Sequence, residues 1–382
     1  MLPQKNWSPE LDGLRGYASL WVFLGHICIL TQFNIPLLSN PDLGVDLFIL
    51  LSGYLMAKNY IERRLAEPWE SKMTIIRFWM RRFFRIAPLY YFLLLIAFYF
   101  GEHFGYYRDV IASAWPVTQT ETTRYTDSSF SNFIAHISFA FGFLPYYSFR
   151  TVLPDWSIGL EMQYYLLFPF IMLFISRVGF VRASVIVMLL CAIAAFALPG
   201  YFSSFPMPSM ILFKLPLFLS GMLIYKAVSE NKVNYIFWAL LAPFVAHLMG
   251  YFTSPIRMTL EALIIIAMSL LLMPHKNNFP LKNFFNFVKK LLSMRISQHL
   301  GDVSYSVYLL HLMIVIPVVG ILIEYTSFES LSPFLRFCIV VFITLPLTYF
   351  IANYLFKYIE KNGILLGRTF IKKQKATINN NA

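Results

Sequence analysis

Ten apolar stretches, each long enough to cross a bilayer, alternate with polar segments along the chain. They cover residues 14–33, 43–61, 83–101, 156–176, 180–198, 208–226, 233–251, 257–273, 303–324 and 333–357. Because about 20 apolar residues in a helix span the hydrocarbon core of a membrane, the pattern predicts an all-α fold, a polytopic bundle of about ten transmembrane helices. We assign residues 1–367 to this bundle and residues 368–382 to a polar cytoplasmic tail.

A weaker apolar run covers 132–148 and contains His136, Gly142 and Pro145. If this run does not cross the membrane and both termini are cytoplasmic, most of the 31 Lys and Arg residues lie on the cytoplasmic side, in agreement with the positive-inside rule. We therefore predict a re-entrant or interfacial segment here, with its backbone shielded by protein or by a cavity.

The composition supports a membrane protein and excludes other classes. Hydrophobic residues make up 58% of the 382 residues and charged residues only 13%, which is more apolar surface than a soluble protein of this length can bury. The net charge of +12 does not indicate nucleic-acid binding, because the basic residues lie between apolar spans, where they set topology. The three cysteines lie within apolar spans and show no disulfide or metal-binding spacing.

The first span carries the most informative pair of ionisable residues. Arg15 lies at its start, and His26 follows eleven positions later, near the expected membrane midplane. Eleven helical residues return to within about 20° of the same face, ~16 Å further along. Ionisable side chains at that depth are costly and indicate function by default. An imidazole suits general-base chemistry on a hydroxyl, and Asp12, one turn before Arg15, is placed to orient the guanidinium. The alternative for His26 is a structural hydrogen bond to a neighbouring helix.

A basic loop leads into the third span, and arginines alternate there with aromatic residues. The segment RFWMRRFFRIAPLYY contains Arg77, Arg81, Arg82 and Arg85. Topology anchoring explains part of this charge. Arginine forks also bind phosphate oxygens and stack on planar rings, so the cluster predicts a site for a nucleotide or a phosphorylated carrier. Anionic lipid headgroups are the alternative ligand.

Three further spans place polar side chains in apolar surroundings. Asp46 lies near the start of the second span, in GVDLFILLSGYLM, and Glu161 lies ~8 Å along the helix from the start of the fourth, in WSIGLE. A carboxylate at such depth needs a partner or a cavity. Tyr305, Tyr308 and His311 recur every three residues in SYSVYLLH and form a stripe along one side of a helix. His311 by itself is equally well explained as a structural hydrogen-bonding residue.

These segments, in this order, resemble the acyltransferase family 3 of bacterial membrane proteins. The resemblance rests on ELDGLRG with Arg15 and His26, on GVDLFILLSGYLM, on RRFFRIAPLYY, on WSIGLE with Glu161 and on SYSVYLLH, and it covers essentially the whole chain. It implies about ten transmembrane helices in the bacterial cytoplasmic (inner) membrane. It also implies transfer of an acyl group, usually acetyl from acetyl-CoA, to hydroxyls of cell-surface glycans.

The resemblance also assigns site residues. It makes Arg15 and His26 the family's Arg-x10-His motif, Arg82 and Arg85 its Arg-x-x-Arg motif, and Glu161 the glutamate of a WSLxxE-type motif. Ile158 stands where the family usually has leucine. Because the chain ends soon after the last span, it is expected to lack the extracytoplasmic hydrolase-like domain of one branch. Transfer of the acyl group is then expected to be completed within the membrane domain or on another protein.

The expected mechanism uses acyl-CoA as a co-substrate, with no permanently bound cofactor and no metal. The arginine cluster holds the donor from the cytoplasm, His26 acts as general base or carries the acyl group, and Arg15 anchors the donor or stabilises developing charge. Glu161 completes the catalytic set. Residues expected to support the site or serve the acceptor are Asp12, Asp46, Tyr305, Tyr308 and His311. The expected partners are acyl-CoA, membrane lipids and a carbohydrate acceptor of the O-antigen or exopolysaccharide type, lipid-linked acceptors included, but no nucleic acid.

Two alternatives come from other functional classes. A transporter or flippase for a lipid-linked sugar would use Lys214, Glu161, His26 and His311 as a translocation pathway. The clustered arginines argue against it, since a donor-dependent enzyme needs them and a carrier does not. A non-enzymatic membrane scaffold would leave Arg15 and His26 unexplained.

Overall fold

The computed structural model describes residues 8–121, 123–275 and 279–380, with side chains described as far as residue 372. Within these residues the chain forms helices and turns. In chain order the α-helices are α1 Pro9–Thr31, α2 Pro41–Arg63, α3 Lys72–Tyr99, α4 Gly101–Ala114, α5 Thr123–Thr126, α6 Phe130–Ile137, α7 Trp156–Val178, α8 Phe180–Ala197, α9 Pro199–Ser203, α10 Ile211–Glu230, α11 Asn234–Ala239, α12 Leu241–Met249, α13 Pro255–Leu272, α14 Lys282–Leu292, α15 Arg295–Asp302, α16 Ser304–Tyr325, α17 Pro333–Leu355 and α18 Lys361–Asn380.

The described residues include eight helical stretches that are long and apolar enough to cross a membrane. They are α1, α3, α7, α8, α10, α13, α16 and the continuous stretch Pro333–Lys372. This confirms an all-α, multi-pass membrane protein. The other two predicted spans differ from these eight. α2 is 23 residues long but carries polar and charged side chains, and run 233–251 falls on the short helices α11 and α12.

The weaker run 132–148 does not form a continuous helix. It contains most of α6, which is 8 residues long, and two 3₁₀ turns, Ala140–Phe143 and Pro145–Tyr147. A helix of that length extends only ~12 Å, less than the ~30 Å core of a bilayer. The observed segment therefore agrees with the prediction that it enters or lines the membrane without crossing it.

A buried polar contact holds this segment against the start of α7. His136 Nε2 lies 3.6 Å from Asp155 Oδ2, and the same carboxylate oxygen accepts hydrogen bonds from Thr151 Oγ1 at 2.9 Å and the Tyr90 hydroxyl at 3.2 Å. Burial raises the pKa of Asp155 and lowers the pKa of His136, because desolvation favours the neutral form of each group. These contacts fix one wall of the site described below.

The predicted boundary between residues 367 and 368 lies inside α18. This helix follows a π-helical turn, Phe356–Glu360, and the described chain stays helical to Asn380. The rings of Phe84 and Phe370 stack with centroids 5.5 Å apart, which joins α18 to α3. The described part of the predicted polar tail is thus a helix whose first turns pack on the bundle.

Two glycines bring α2 and α10 into direct backbone contact. A Cβ atom on Gly53 would collide with the carbonyl oxygen of Phe218, and one on Gly221 would collide with the carbonyl oxygen of Leu50. Small residues at such crossings let helix backbones approach closely inside a membrane. This crossing positions α2, which forms one wall of the site described below.

A buried ion cluster joins α2 and α10 to α13. Asp46 Oδ1 lies 2.6 Å from Lys214 Nζ, and Asp46 Oδ2 lies 2.5 Å from Arg257 Nη2. Glu261 Oε1 lies 3.4 Å from Lys214 Nζ and 3.0 Å from Arg257 Nε. Asp42 contributes a third carboxylate, 3.3 Å from Arg257 Nη1. Each buried charge thus has opposite charges around it, which offsets part of the cost of removing it from water.

We expect Gly221→Leu to separate α2 from α10 and lower the free energy of unfolding by about 1–3 kcal/mol or more, because the backbone at this crossing leaves no room for a side chain. Thermal unfolding of the detergent-solubilised protein measures the effect. Gly200→Ala is the matched control, because a Cβ atom at Gly200 meets nothing within 4 Å. Equal stability of the two variants would contradict the packing argument.

We expect Lys214→Met to destabilise the protein by about 3–5 kcal/mol, because it leaves the carboxylates of Asp46 and Glu261 with one cation fewer in a buried site. The same thermal assay applies. Lys232→Met removes a lysine whose side chain is 60% exposed and which pairs with Glu230, so that variant should lose less than ~1 kcal/mol. A Lys214→Met variant as stable as Lys232→Met would show that the cluster does not hold the helices together.

Candidate active site

A basic cavity of about 330 Å³ opens among α2, α3, α7 and α18. The arginines that line it are Arg63, Arg81, Arg82, Arg85 and Arg368. Arg81 forms a two-point contact with Glu67, Nη1 to Oε1 at 2.9 Å and Nη2 to Oε2 at 2.8 Å, so its fork is occupied. Arg82 and Arg85 form no ion pair with a carboxylate in the described part of the chain. Their charge is therefore available to a ligand.

Of the four arginines in the predicted cluster, the structure brings three together. Arg77 lies on the same helix but does not line the basic cavity. Arg63 and Arg368 take its place, from the end of α2 and from α18. Neither was singled out in the sequence, because each belongs to a segment distant from the cluster.

A chain of contacts leads from the basic cavity towards the bundle centre. The Arg82 guanidinium lies over the ring of Tyr165, 5.3 Å from its centroid, and the Tyr165 hydroxyl donates a hydrogen bond to Glu161 Oε1. Ser52 Oγ donates to the same oxygen across 3.5 Å. Tyr165 follows Glu161 by four positions and so shares its helix face. The spacing of these two residues could have indicated their contact from the sequence alone.

A central cavity of about 70 Å³ lies beyond Glu161. Its polar lining comes from Arg15, Ser52, Ser157, Glu161, Ser304, Tyr305 and Tyr308. Arg15 reaches it from α1, with Nη1 4.0 Å from Asp12 Oδ1, which agrees with the predicted placing of Asp12. Tyr305 donates its hydroxyl to the carbonyl oxygen of Ile86 at 2.8 Å and so joins α16 to α3. Five helices, α1, α2, α7, α10 and α16, thus line this cavity.

A third cavity, the histidine cavity, has a volume of about 180 Å³ and is lined by His26, Asp42, Arg108, Arg124, Trp156 and Tyr308 among others. Tyr308 and Val45 also line the central cavity, so the two cavities adjoin. The Tyr308 hydroxyl donates to the Pro154 carbonyl oxygen at 2.9 Å and lies 2.6 Å from Ser157 Oγ. Tyr308 is therefore fixed as the partition between them.

His26 and His311 contact each other inside the bundle, although they are 285 positions apart. His311 Nε2 lies 3.1 Å from His26 Nδ1, and the ring centroids are 4.9 Å apart. His311 Nδ1 lies 2.7 Å from the Tyr308 carbonyl oxygen, and His26 Nδ1 lies 2.9 Å from that of Val22. The predicted stripe on α16 therefore meets the predicted stripe on α1.

The hydrogen-bond partners assign the tautomers of both rings. A carbonyl oxygen only accepts, so the Nδ1 atom of each neutral imidazole carries the proton. His311 Nε2 is then an acceptor for the proton on His26 Nδ1. The Nε2 atom of His26 keeps its lone pair on the side of the ring away from these partners. This is the state in which an imidazole removes a proton from a hydroxyl.

Arg15 and His26 open into different cavities. Their separation along α1 is ~16 Å by helical rise, with Arg15 on the central cavity and His26 on the histidine cavity. Both side chains thus point into the bundle, as their spacing along one helix face predicts. They line different cavities, however, so they do not surround a single reacting atom.

The structure places Asp46 in the buried ion cluster, where it supports the bundle without lining any of the three cavities. Asp42, one turn earlier, does line the histidine cavity. Arg108 and Arg124 line it too, although they come from α4 and α5, outside the candidate spans. Sequence reasoning missed both arginines, since nothing in the local sequence connects these helices with the segment around His26.

No solved structure matches the chain. Three relatives do. The chain is 30% identical to the O-acetyltransferase OatA of Staphylococcus aureus (strain NCTC 8325) over 173 residues, 44% of this chain and 25% of the relative. It is 27% identical to the peptidoglycan O-acetyltransferase OatA of Listeria monocytogenes over 184 residues, 46% and 26% of the two chains. It is 25% identical to a putative acetyltransferase, ORF330, of Acidianus two-tailed virus over 343 residues, 84% and 88%. The chain thus spans about a quarter of the length of the two OatA relatives.

The sequence profile of a protein family described as an acyltransferase domain matches residues 8–353, nearly the whole length of the chain. That range contains α1 to α16 and nearly all of α17, and with them almost every residue that lines the three cavities. The chain belongs to acyltransferase family 3.

Proposed function

We propose that the protein transfers an acetyl group from cytoplasmic acetyl-CoA to a hydroxyl of a cell-surface or periplasmic glycan, in the bacterial cytoplasmic membrane. The observation that carries the proposal is the arrangement of two sites, joined by side-chain contacts through Tyr165 and Glu161. Arginines free of carboxylate partners line the basic cavity, and the lone pair of His26 Nε2 lies at the far end of the bundle interior. The relatives named O-acetyltransferase support the reaction class.

The donor enters at the basic cavity. Arg82 and Arg85 bind its phosphates, since guanidinium forks match phosphate oxygens. The narrow pantetheine arm then passes Tyr165 and Glu161 into the central cavity. Arg15 lines that cavity and donates hydrogen bonds to the amide carbonyls of the arm. Because His26 opens into the adjoining cavity, Arg15 acts on the donor rather than on the charge that develops beside His26.

The chemistry takes place beside Tyr308, where the central and histidine cavities adjoin. His26 Nε2 removes the proton from the acceptor hydroxyl as its oxygen attacks the thioester carbonyl carbon. A carbon–oxygen bond forms and the carbon–sulfur bond breaks. The proton passes from His26 to the sulfur, leaving coenzyme A as the free thiol. His26 Nδ1–H donates a hydrogen bond shared between the Val22 carbonyl oxygen and His311 Nε2, which holds the imidazole in the orientation this transfer needs.

The acceptor approaches from the end of the bundle opposite the basic cavity. Residues of α4, α5 and segment 149–156 form that side of the histidine cavity. Candidate acceptors are O-antigen, exopolysaccharide and peptidoglycan, with or without a lipid carrier. Lys214, which a translocation pathway would use, is occupied in the ion cluster and lines none of the three cavities, so the transporter alternative gains no support.

We expect cells that carry the wild-type protein to gain ester-linked acetyl groups on a surface glycan, and His26→Ala to lower that signal by about 10²–10⁴-fold, the usual contribution of a general base. Proton NMR of the isolated glycan before and after mild alkali measures the ester. His103→Ala is the control at matched membrane abundance, because His103 is exposed and lines none of the three cavities. Undiminished ester with His26→Ala would remove His26 from the mechanism.

We expect Arg82→Gln and Arg85→Gln each to raise the KM for acetyl-CoA by about 10- to 100-fold, the effect of losing one hydrogen bond to a charged group. Acetyl transfer in inverted membrane vesicles, followed with radiolabelled acetyl-CoA, gives the value. Arg295→Gln removes an exposed arginine from α15 and should leave KM unchanged. Activity in sealed right-side-out vesicles with external acetyl-CoA would contradict entry of the donor from the cytoplasm.

A further inference from the structure

We propose that the histidine cavity binds an anionic group of the acceptor, a carboxylate or phosphate carried by a sugar, between Arg108 and Arg124. This inference rests on the proposed function only in identifying the bound sugar as the acyl acceptor. The binding site itself rests on the cavity, whichever reaction takes place there. It assigns a substrate class, acidic glycans, to a cavity separate from the basic cavity that binds the phosphates of the donor.

Both arginines are buried cations without a carboxylate partner. Each is only 7% exposed, and neither takes part in any ion pair among the described residues. Arg108 Nη2 donates to the Thr118 carbonyl oxygen, and Arg124 Nε donates to the Thr151 carbonyl oxygen at 3.2 Å. The Nε and Nη1 atoms of Arg108 have no hydrogen-bond partner. A buried guanidinium with unused donors is unfavourable unless an anion completes it.

The carboxylates near this cavity have other partners. Asp42 lines the cavity but lies 3.3 Å from Arg257 Nη1. Asp155, which precedes Trp156 of the cavity lining, accepts from Thr151 and Tyr90, faces His136 and interacts electrostatically with Arg124 without forming an ion pair with it. The contrast with the ion cluster is informative, because this same bundle surrounds Lys214 and Arg257 with carboxylates. The histidine cavity therefore keeps an excess of positive charge.

Aromatic rings supply the remaining walls. Tyr125, Phe149, Trp156 and Tyr308 line the cavity, and the Arg124 guanidinium lies 3.4 Å from the centroid of the Phe149 ring. That stacking fixes the orientation of the planar Arg124 guanidinium, which favours bidentate binding of a carboxylate or phosphate. Flat aromatic surface together with a fixed cation suits a sugar ring that carries a negative group. His26 lines the same cavity, so a sugar anchored by its anion presents a hydroxyl to His26 Nε2.

Binding of paired small sugars to the full-length protein in lipid nanodiscs tests the proposal. The carboxylate pair is methyl β-glucuronide against methyl β-glucoside, and the phosphate pair is glucose 6-phosphate against glucose. Ligand-observed NMR gives each dissociation constant. We expect at least one anionic sugar to bind about tenfold or more tightly than its neutral counterpart, and which one does so distinguishes a uronate-type from a phosphorylated acceptor. Equal binding within both pairs would overturn the proposal.

Variants place the preference at the two arginines. Arg108→Gln and Arg124→Gln should each bring the anionic-to-neutral ratio close to one, while Arg108→Lys should keep part of it. Arg336→Gln is the matched control, because Arg336 is also buried, 6% exposed, and stacked on an aromatic ring, that of Trp115, but does not line the cavity. A preference that survives in both glutamine variants would place the anion elsewhere. Variants that elute as aggregates are set aside, and the wild-type comparison then decides alone.

The same preparations separate this inference from the proposed function. Acetyl transfer to neutral and acidic glycans alike, with equal binding of the sugar pairs, would uphold the transferase and reject the anionic subsite. Preferential binding of anionic sugars without any acetyl transfer would uphold the subsite and reject the transferase.

Discussion

The free-energy cost of placing charge inside an apolar bundle determines where the charged side chains of this protein lie and what they contact. The bundle core is apolar, so an ionised side chain is stable there only beside an opposite charge or at a cavity. Asp46, Lys214, Arg257 and Glu261 satisfy the first condition and tie three helices together. Arg82, Arg85, Arg108 and Arg124 form no ion pair with a carboxylate in the described part of the chain and satisfy the second condition, since each lines a cavity. The ion cluster therefore supports the fold, whereas the four cavity arginines are the cations that the proposed ligands would bind.

The two sets of unpaired arginines lie at different cavities, with His26 at one of them. The basic cavity joins the ends of α2, α3 and α18, whereas Arg108 and Arg124 come from α4 and α5. A donor that carries phosphates and an acceptor that carries a negative group would repel each other in a shared pocket. In the proposed mechanism, separate cations allow both to bind at once, and Tyr308 lies between the two cavities, where the proposed transfer takes place.

Packing at small residues positions these cavities. The contact of Gly53 and Gly221 with opposing carbonyl groups sets the crossing of α2 and α10, and Ser52, beside Gly53, faces Glu161. The His26 side chain depends in turn on α16, because His311 and Tyr308 define both its partner and the partition beside it. The geometry of the candidate site therefore depends on helix crossings rather than on any one segment.

The sequence by itself predicted the all-α membrane class, most of the spans and the absence of a membrane-crossing helix in 132–148. It also singled out Arg15, His26, Arg82 and Arg85, which the structure then places on cavities. These features follow from local patterns, because helix length, apolar composition and an ionisable residue within a span are visible in neighbouring positions. Only the tertiary structure decided that His311 contacts His26 across 285 positions, that Asp46 pairs with Lys214 and Arg257, and that Arg108 and Arg124 line the cavity of His26. Each of these contacts joins side chains from separate helices, and no periodicity within one helix specifies which neighbour it will meet.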